Sequence, residues 1–293
     1  MRCVITGGRG FAGGYLATEL RAGGHDVVLL DRADLDVADT AAMRERLGSI
    51  RPDAVFHLAA LTHVGDSWLD PDEVARVNVG GTEAVLQGSE AAGVDVVVIV
   101  GSAEEYGRVE PADVPILESH PAPGHSPYGT SKAAATRLAV EFGQHARTRV
   151  VIARPFNHTG PGQVPRFLIP ALAARIRAAL ESGDHDIAVG NLEPVRDISD
   201  VRDVVRAYVR LAESGARGAI YNVCSGRGVS VAEIAERLIA ASGADLRLRV
   251  DPELVRPVDI PILVGDHSKL SAATGWRPEI SLETTLADVL QLG

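Results

Sequence analysis

The chain has 293 residues, is 46% hydrophobic and carries a formal net charge of −10. This length and composition suit one large globular domain, or two closely joined ones, with a sizeable core. The acidic balance disfavours non-specific binding to nucleic acid or to a membrane surface, and we expect neither as a partner. It does not exclude an anionic ligand, because local arginines can outweigh the global sign.

The cysteines and histidines indicate neither a disulfide framework nor a metal site. Cys3 and Cys224 lie in apolar, strand-like runs and are expected to be buried thiols. The histidines and cysteines do not show the spacing of metal ligands, so no metal is expected.

The chain opens on a strand-like run without a leader pattern, and no apolar run reaches the roughly 20 residues that cross a bilayer. We therefore expect a cytoplasmic protein.

The first strand-like run leads into a glycine-rich turn and then into a helical pattern. Residues 6–14 contain Gly7, Gly10 and Gly13, each three positions from the next. In a dinucleotide fingerprint such glycines permit the tight turn, the approach of the pyrophosphate and close packing of helix on strand. Phe11 lies inside the turn and is grouped with them. The sequence thus predicts a bound NAD or NADP here, against the alternative of a merely flexible turn.

The next buried strand ends in residues that point to opposite cofactors. Asp31 closes the run 27–31 and can accept hydrogen bonds from an adenosine ribose, which favours NAD. Arg32 follows at once and can hold a 2′-phosphate, which favours NADP. Asp36, next to Val37 in the following loop, can cap an adenine amino group. The choice between NAD and NADP stays open on these residues.

A third strand-like run covers residues 54–60 and leads into a helical pattern at about 72–92. The run ends in Leu58, Ala59 and Ala60. Small side chains at this point let the backbone lie against a cofactor. We therefore add these three residues to the predicted cofactor site.

The nearly continuous apolar run 94–100 predicts a central parallel strand that is covered on both faces. Ser102 follows it and is placed either to hydrogen-bond a substrate oxygen or to cap the strand end.

Tyr128 and Lys132 lie one helical turn apart, so they share a helix face. We expect the ammonium to stabilise the phenolate and to lower a pKa that starts near 10. The plainer alternative is a solvated surface pair.

The alternation of strand and helix predicts a doubly wound parallel (Rossmann) α/β sheet. After about residue 160 the regular alternation of strand and helix ends. No long linker or repeat interrupts the chain. We expect a dinucleotide-binding domain over residues 1–157, rejoined by parts of 197–224. Residues 158–293 are expected to form most of a smaller, substrate-binding lobe.

Several motifs together resemble one known family. They are Thr6-Gly-x-x-Gly-x-x-Gly13, Ser102, Tyr128-x-x-x-Lys132 and Arg154-Pro-Phe-Asn157. Over essentially the whole chain they resemble the extended short-chain dehydrogenase/reductases that act on nucleotide sugars. More narrowly, the runs 154–163, 189–197 and 256–261 resemble the GDP-4-keto-6-deoxy-D-mannose reductases within that family.

The resemblance implies roles for particular residues. The glycines of the first turn would carry the cofactor pyrophosphate, and Lys132 would also hold the nicotinamide ribose. Asn157 would contact the diphosphate of the sugar nucleotide, and Arg196 and Arg256 would neutralise it. Planar guanidinium groups suit this task because they bind phosphate with two hydrogen bonds.

The resemblance also implies an activity and an assembly. The expected reaction is NAD(P)H-dependent reduction of the C4 ketone of a nucleotide-activated 4-keto-6-deoxyhexose. With a GDP-sugar favoured, this is GDP-4-keto-6-deoxy-D-mannose to GDP-D-rhamnose. Tyr128 would protonate the developing alkoxide while Ser102 hydrogen-bonds the same oxygen. Members of the family tend to pair through the helices that correspond to about 72–92 and 127–145, so a homodimer is expected.

Glu104 departs from a plain reductase and keeps other interpretations open. In related 4,6-dehydratases a glutamate two residues beyond Ser102 acts as acid or base during elimination of water. Those enzymes usually have threonine at the position of Ser102, which favours the reductase. The alternatives are a 4,6-dehydratase or 4-epimerase with tightly held NAD(P), and a non-catalytic dinucleotide sensor. The presence of both Tyr128 and Lys132 argues against the sensor.

Overall fold

The structure, a computed structural model, describes residues 1–255 and 260–291. Its strands are β1 Arg2–Thr6, β2 Asp26–Leu30, β3 Ala54–His57, β4 Val96–Val100, β5 Arg149–Pro155, β6 Asn157–Thr159, β7 Asp186–Val189, β8 Val195–Asp200, β9 Ile220–Val223, β10 Gly228–Ser230, β11 Arg247–Val250 and β12 Ile262–Leu263. Its helices are α1 Phe11–Ala22, α2 Thr40–Ile50, α3 Pro71–Ala75, α4 Gly81–Ala92, α5 Pro127–His145, α6 Leu168–Ser182, α7 Val201–Ser214, α8 Val231–Ser242, α9 Ser268–Thr274 and α10 Leu282–Gln291. A π-helical stretch, Arg76–Gly80, joins α3 to α4.

Six strands form a parallel sheet in the order β2-β1-β3-β4-β5-β9. Strand β4 shows why the sheet has a core on each face. Val96 and Val98 pack on one face, whereas Val97 and Ile99 pack on the other, because side chains alternate along a strand. Helices α1 and α7 cover the first face, and α2, α4 and α5 cover the second. The predicted doubly wound Rossmann sheet is confirmed.

The strand order places a ligand site at one edge of this sheet. After β1 the chain moves to β2 on one side and then to β3 on the other. Ligands of open α/β sheets bind at such a switch point, beyond the carboxyl ends of the strands. Thr6, His57 and Val100 end β1, β3 and β4 at this edge.

The remaining strands build a smaller layer beside that edge. β8 lies between β10 and β12, β6 pairs with β8, and β7 pairs with β11. Helices α6, α8 and α10 bury a separate apolar cluster against these strands. The chain after residue 157 serves both regions, since β9 and α7 belong to the main sheet and its core. The exact domain boundary at residue 157 stays a prediction.

Both cysteines are buried and free, as expected. Among the helices of the described residues, none combines the length and the apolar character needed to cross a bilayer. Within residues 1–255 and 260–291, histidine, cysteine and acidic side chains form no group of three or more suited to a metal ion.

Candidate active site

A cleft of about 1540 Å³ lies at the carboxyl ends of the central strands. Every predicted site residue that the structure describes lines this cleft. These residues are Gly7, Gly10, Phe11, Gly13, Asp31, Arg32, Asp36, Val37, Leu58, Ala59, Ala60, Ser102, Glu104, Tyr128, Lys132, Asn157 and Arg196. Arg256, predicted to bind substrate, lies outside the described residues. The fold therefore brings the candidates to one cavity, and the individual roles assigned to them stay predictions.

The glycine turn has the shape that a dinucleotide needs. A Cβ at Gly13 would lie 2.2 Å from the carbonyl oxygen of Gly7, so α1 can begin this close to β1 only with glycine there. Gly10 precedes α1 and supplies no side-chain cap, so the first N–H groups of the helix are not covered by a side chain. Such N–H groups and the positive end of the helix dipole favour a pyrophosphate. The residues present fit a nicotinamide dinucleotide.

The end of the cleft beside β1 and β2 carries both acidic and basic side chains, among them Asp31, Arg9 and Arg32. Asp31 accepts hydrogen bonds from the backbone N–H groups of Arg9 at 3.1 Å and Arg32 at 2.8 Å. The Arg9 guanidinium pairs with Asp34 at 2.6 Å, which holds the pKa of that carboxyl below its usual range. Both arginines line the cleft. Sequence analysis missed Arg9, although its position inside the glycine turn was a usable signal.

Tyr128 and Lys132 lie on the first turns of α5, inside the protein. Ser126 caps this helix by accepting a hydrogen bond from the N–H of Gly129 at 3.0 Å. The Tyr128 side chain lies close enough to Ser102 for that hydroxyl to affect its pKa, and Lys132 donates to the carbonyl oxygen of Val100. Tyr128 is 8% exposed and Lys132 is 5% exposed, so the surface-pair alternative is wrong.

The protonation states differ from the expectation that Lys132 makes Tyr128 acidic. Burial raises the pKa of Tyr128 above its usual range, and the nearby hydroxyl of Ser102 only partly opposes this effect. Burial also lowers the pKa of Lys132 to about 8, against the opposing charge of Glu105. The Lys132 ammonium is directed to a backbone carbonyl, so desolvation dominates at the phenol. Tyr128 is therefore neutral in this structure.

Glu104 occupies the cleft beside these groups. Its backbone N–H donates to the hydroxyl of Ser102 at 3.2 Å. Its negative charge contributes to raising the pKa of Tyr128. Glu104 is thus close enough to influence the proton donor, as the dehydratase alternative requires.

Tyr208 of α7 is a cleft residue that sequence analysis did not select. It is fully buried, and its hydroxyl has no hydrogen-bond partner among the described residues. Burial raises the pKa of Tyr208, and the proximity of Tyr128 adds to the same shift. The amphipathic pattern of α7 marks Tyr208 only as a core position, so local sequence carries no signal for it.

The far end of the cleft is built by the smaller layer. Asn157 begins β6 and pairs with Ile198 of β8, so it lies beside the strand that carries Arg196. Arg175 of α6 lines the same cleft, and its guanidinium donates to the carbonyl oxygen of Ala188 at 2.9 Å. Sequence analysis missed Arg175. This end presents guanidinium and amide groups, which suits a diphosphate.

Two loops meet at the mouth of the cleft. Arg166 forms an ion pair with Asp66, and the Nδ1 atom of His63 lies 2.9 Å from the same carboxylate. The His63 ring also contacts Phe167 edge-on, with ring centroids 6.3 Å apart. The loop after β3 is thereby joined to the loop before α6.

The comparison with protein families decides the identity of this fold and cleft. Residues 3–224 match the model of the NAD dependent epimerase/dehydratase family. The chain belongs to this family. It is therefore an enzyme of the extended short-chain dehydrogenase/reductase type that acts on a nucleotide sugar and uses NAD or NADP, as expected from the sequence.

Individual members of the family are similar to the chain over nearly its whole length. GDP-6-deoxy-D-mannose reductase of Pseudomonas aeruginosa is 36% identical over 99% of this chain and 96% of its own length. The structure of RMD from Pseudomonas aeruginosa complexed with NADPH has a TM-score of 0.89 at 35% identity, covering 99% of this chain and 97% of that one. UDP-glucose 4-epimerase of Thermus thermophilus in complex with NAD also has a TM-score of 0.89, at 28% identity over 99% of this chain and 98% of that one.

Proposed function

We propose that the protein reduces the C4 ketone of a nucleotide-activated 4-keto-6-deoxyhexose. The proposed conversion is GDP-4-keto-6-deoxy-D-mannose to GDP-D-rhamnose. The observation that carries the proposal is Tyr128, which is buried, is kept neutral by that burial and lines the same cleft as Ser102. A ketone reduction needs a proton donor at this point, and the similarity to a GDP-6-deoxy-D-mannose reductase supports the choice of substrate.

The side chains divide the chemistry between them. A bound reduced nicotinamide supplies the hydride for the carbonyl carbon. Tyr128 gives its proton to the oxygen that becomes negative, and Ser102 hydrogen-bonds the same oxygen. The Lys132 ammonium, one helical turn from Tyr128 on α5, is proposed to hold the nicotinamide ribose. Asn157, Arg196 and Arg256 are proposed to bind the diphosphate and so align the sugar.

A direct assay tests the proposed reaction. The purified protein is mixed with NADPH and GDP-4-keto-6-deoxy-D-mannose, and the absorbance of the reduced nicotinamide is followed. We expect one NADPH oxidised for each ketosugar consumed. The matched control is the same mixture with the GDP-sugar alcohol in place of the ketone, which should oxidise none. No net oxidation with the ketone would contradict the proposal.

A second candidate function rests on Glu104. Its place beside Ser102 in the cleft, together with the epimerases among the relatives, favours a 4,6-dehydratase or 4-epimerase that regenerates its own cofactor. Such an enzyme converts a nucleotide hexose without added reductant. Glu104→Gln would abolish that turnover, whereas the proposed reductase would retain most of its activity. Measuring both reactions with both proteins separates the two functions.

We also propose that the enzyme is a cytoplasmic homodimer. The buried free thiols of Cys3 and Cys224 suit a reducing compartment. The helical stretch 71–92 and helix α5 lie together on one side of the sheet, where pairing of two copies would form a four-helix interface. Light scattering after size-exclusion chromatography would give twice the chain mass for a dimer, and the single chain mass would contradict it.

A further inference from the structure

Glu105 is a fully buried carboxylate that does not line the cleft, yet both of its oxygens are in use. Oε1 accepts hydrogen bonds from the backbone N–H of Ser102 at 2.8 Å and from the hydroxyl of Thr136 at 2.9 Å. Oε2 accepts from the Nε and Nη2 atoms of Arg154 at 2.9 Å and 2.7 Å. One carboxylate thus joins the end of β4, the helix α5 and the end of β5.

We propose that Glu105 is a positioning residue that holds Ser102 and helix α5, which carries Tyr128 and Lys132, in their relative positions. The inference rests on the proposed function, since it takes Ser102, Tyr128 and Lys132 as the reacting group. Glu105 itself touches neither substrate nor cofactor, and it acts through these three side chains.

The geometry links the two segments that carry the reacting group. Thr136 lies one helical turn beyond Lys132 on α5, and Ser102 follows the carboxyl end of β4. The Lys132 ammonium also reaches back to Val100 at the end of β4. Two sets of hydrogen bonds, one through Lys132 and one through Glu105, therefore hold α5 against the end of β4. Loss of the Glu105 hydrogen bonds would let Ser102 shift relative to Tyr128.

An ordinary helix cap does not explain this arrangement. Ser102 and Glu105 do form a capping box, but such a glutamate normally stays in contact with water. Here the backbone makes room for the carboxylate, because a Cβ at Gly101 would lie 2.4 Å from its Oε1 atom. Arg154, the partner, is also buried and lies over the ring of Tyr106 at 4.6 Å. Burying an ion pair is costly, and replacing both partners by apolar side chains is often no less stable, so stability alone does not account for the pair.

The charges near the reacting group agree with this role. Glu105 raises the pKa of Lys132, opposing the desolvation that brings it to about 8. Glu105 and Glu104 both raise the pKa of Tyr128, which keeps the phenol protonated. The other ionisable group facing Lys132 is His57 of β3, whose pKa burial lowers to about 3, so it stays neutral. Glu105 therefore opposes the effect of burial on the pKa of Lys132.

The test is the pH profile of kcat/KM for Glu105→Gln, which keeps the shape of the side chain and removes its charge. We expect the alkaline limb to move to lower pH by about one unit, because Lys132 loses its proton more readily. At neutral pH we expect kcat to fall about tenfold. The matched control is Glu90→Gln. The Glu90 carboxylate also accepts two backbone N–H groups, from Arg147 and Thr148, but it lies outside the cleft.

A purely structural role would lower the melting temperature in both variants and leave the alkaline limb where it is in the wild type. That result for a folded Glu105→Gln protein would overturn the proposal.

If Glu105→Gln does not fold, the comparison of Thr136→Val with Thr136→Ser tests the proposal instead. Thr136→Val removes one hydrogen bond to Oε1 and should reduce kcat several-fold with an unchanged KM for cofactor, whereas Thr136→Ser keeps the hydroxyl and should restore kcat. Equal kcat values in the two would also overturn it.

The role of Glu105 can be tested even if the proposed reductase activity is not found. If the wild type reduces no ketosugar, the pH dependence of NADPH binding, followed by nicotinamide fluorescence, gives an alkaline limb without turnover. Glu105→Gln should move that limb in the same direction. An unmoved limb would show that Glu105 does not act on Lys132.

Discussion

The two ends of the cleft are built in different ways. The proposed cofactor end lies on strand ends that follow one another closely in the chain, and the glycine turn presents mainly backbone there. The substrate end depends on β6 and β8, which pair across about forty residues of intervening chain and present side chains. The groups proposed to bind substrate there, Asn157 and Arg196, are therefore brought together only by tertiary structure. We therefore expect the proposed cofactor end to be recognisable from local sequence and the proposed substrate end to determine which sugar binds.

The largest expected effect falls where the two ends meet. Tyr128→Phe removes the proton donor and keeps the ring, so kcat should fall about 10³-fold. The dissociation constant for NADPH should change little, because the phenyl ring still fills its place. Steady-state kinetics and a fluorescence titration of NADPH measure the two quantities. Turnover within tenfold of the wild type would show that another group donates the proton.

A change at the cofactor end should act on cofactor binding alone. Gly13→Ala places a Cβ 2.2 Å from the carbonyl oxygen of Gly7, so the start of α1 must shift away from the pyrophosphate site. We expect NADPH affinity to fall about 10²-fold. Gly14→Ala is the matched control, since a Cβ there meets nothing within 4 Å. Equal affinities in the two variants would contradict this placement of the cofactor.

A change at the substrate end should be milder and should spare the cofactor. Arg196→Ala removes a guanidinium from the cleft wall, and charge-assisted hydrogen bonds of this kind are worth about 1.5–3 kcal/mol. We expect KM for the nucleotide sugar to rise at least about tenfold, with the NADPH dissociation constant unchanged. Inhibition by GDP should weaken by the same factor. A loss of NADPH affinity instead would mean that the two ends are not independent.

The smallest effect is a pH dependence set by Lys132. Its pKa in the folded protein is about 8, so kcat/KM should fall to about half near that pH as the ammonium loses its proton. Stability should respond in the opposite direction. A lysine in the unfolded chain has its ordinary pKa of 10.5, so the unfolded chain binds more protons than the folded one between about 8 and 10.5. The Lys132 contribution to stability therefore rises with pH in that window.

Lys132→Met separates these two responses. Thermal unfolding measured across that pH window should lose the rising contribution in this variant, and the variant should also be inactive. An unchanged pH dependence of stability would show that Lys132 is not desolvated as the structure indicates.

The difference between local and tertiary features also explains which site residues could be predicted from the sequence. Gly7, Gly10 and Gly13 are recognisable because a local turn imposes their spacing, and Tyr128 and Lys132 because one helix carries both. Tyr208 and Arg175 were missed because they enter the cleft only through packing of α7 and α6. The direction of the Tyr128 pKa shift was also wrong, since burial is a tertiary property that the spacing of Tyr128 and Lys132 does not contain.

The most direct test of the account follows the transferred hydrogen. The protein is incubated with GDP-4-keto-6-deoxy-D-mannose and NADPH that carries deuterium at the transferable position, and the product is analysed by NMR. The account predicts deuterium at C4 of the sugar and one NADP⁺ formed for each product molecule. A product without deuterium at C4, or one formed without net consumption of NADPH, would contradict it.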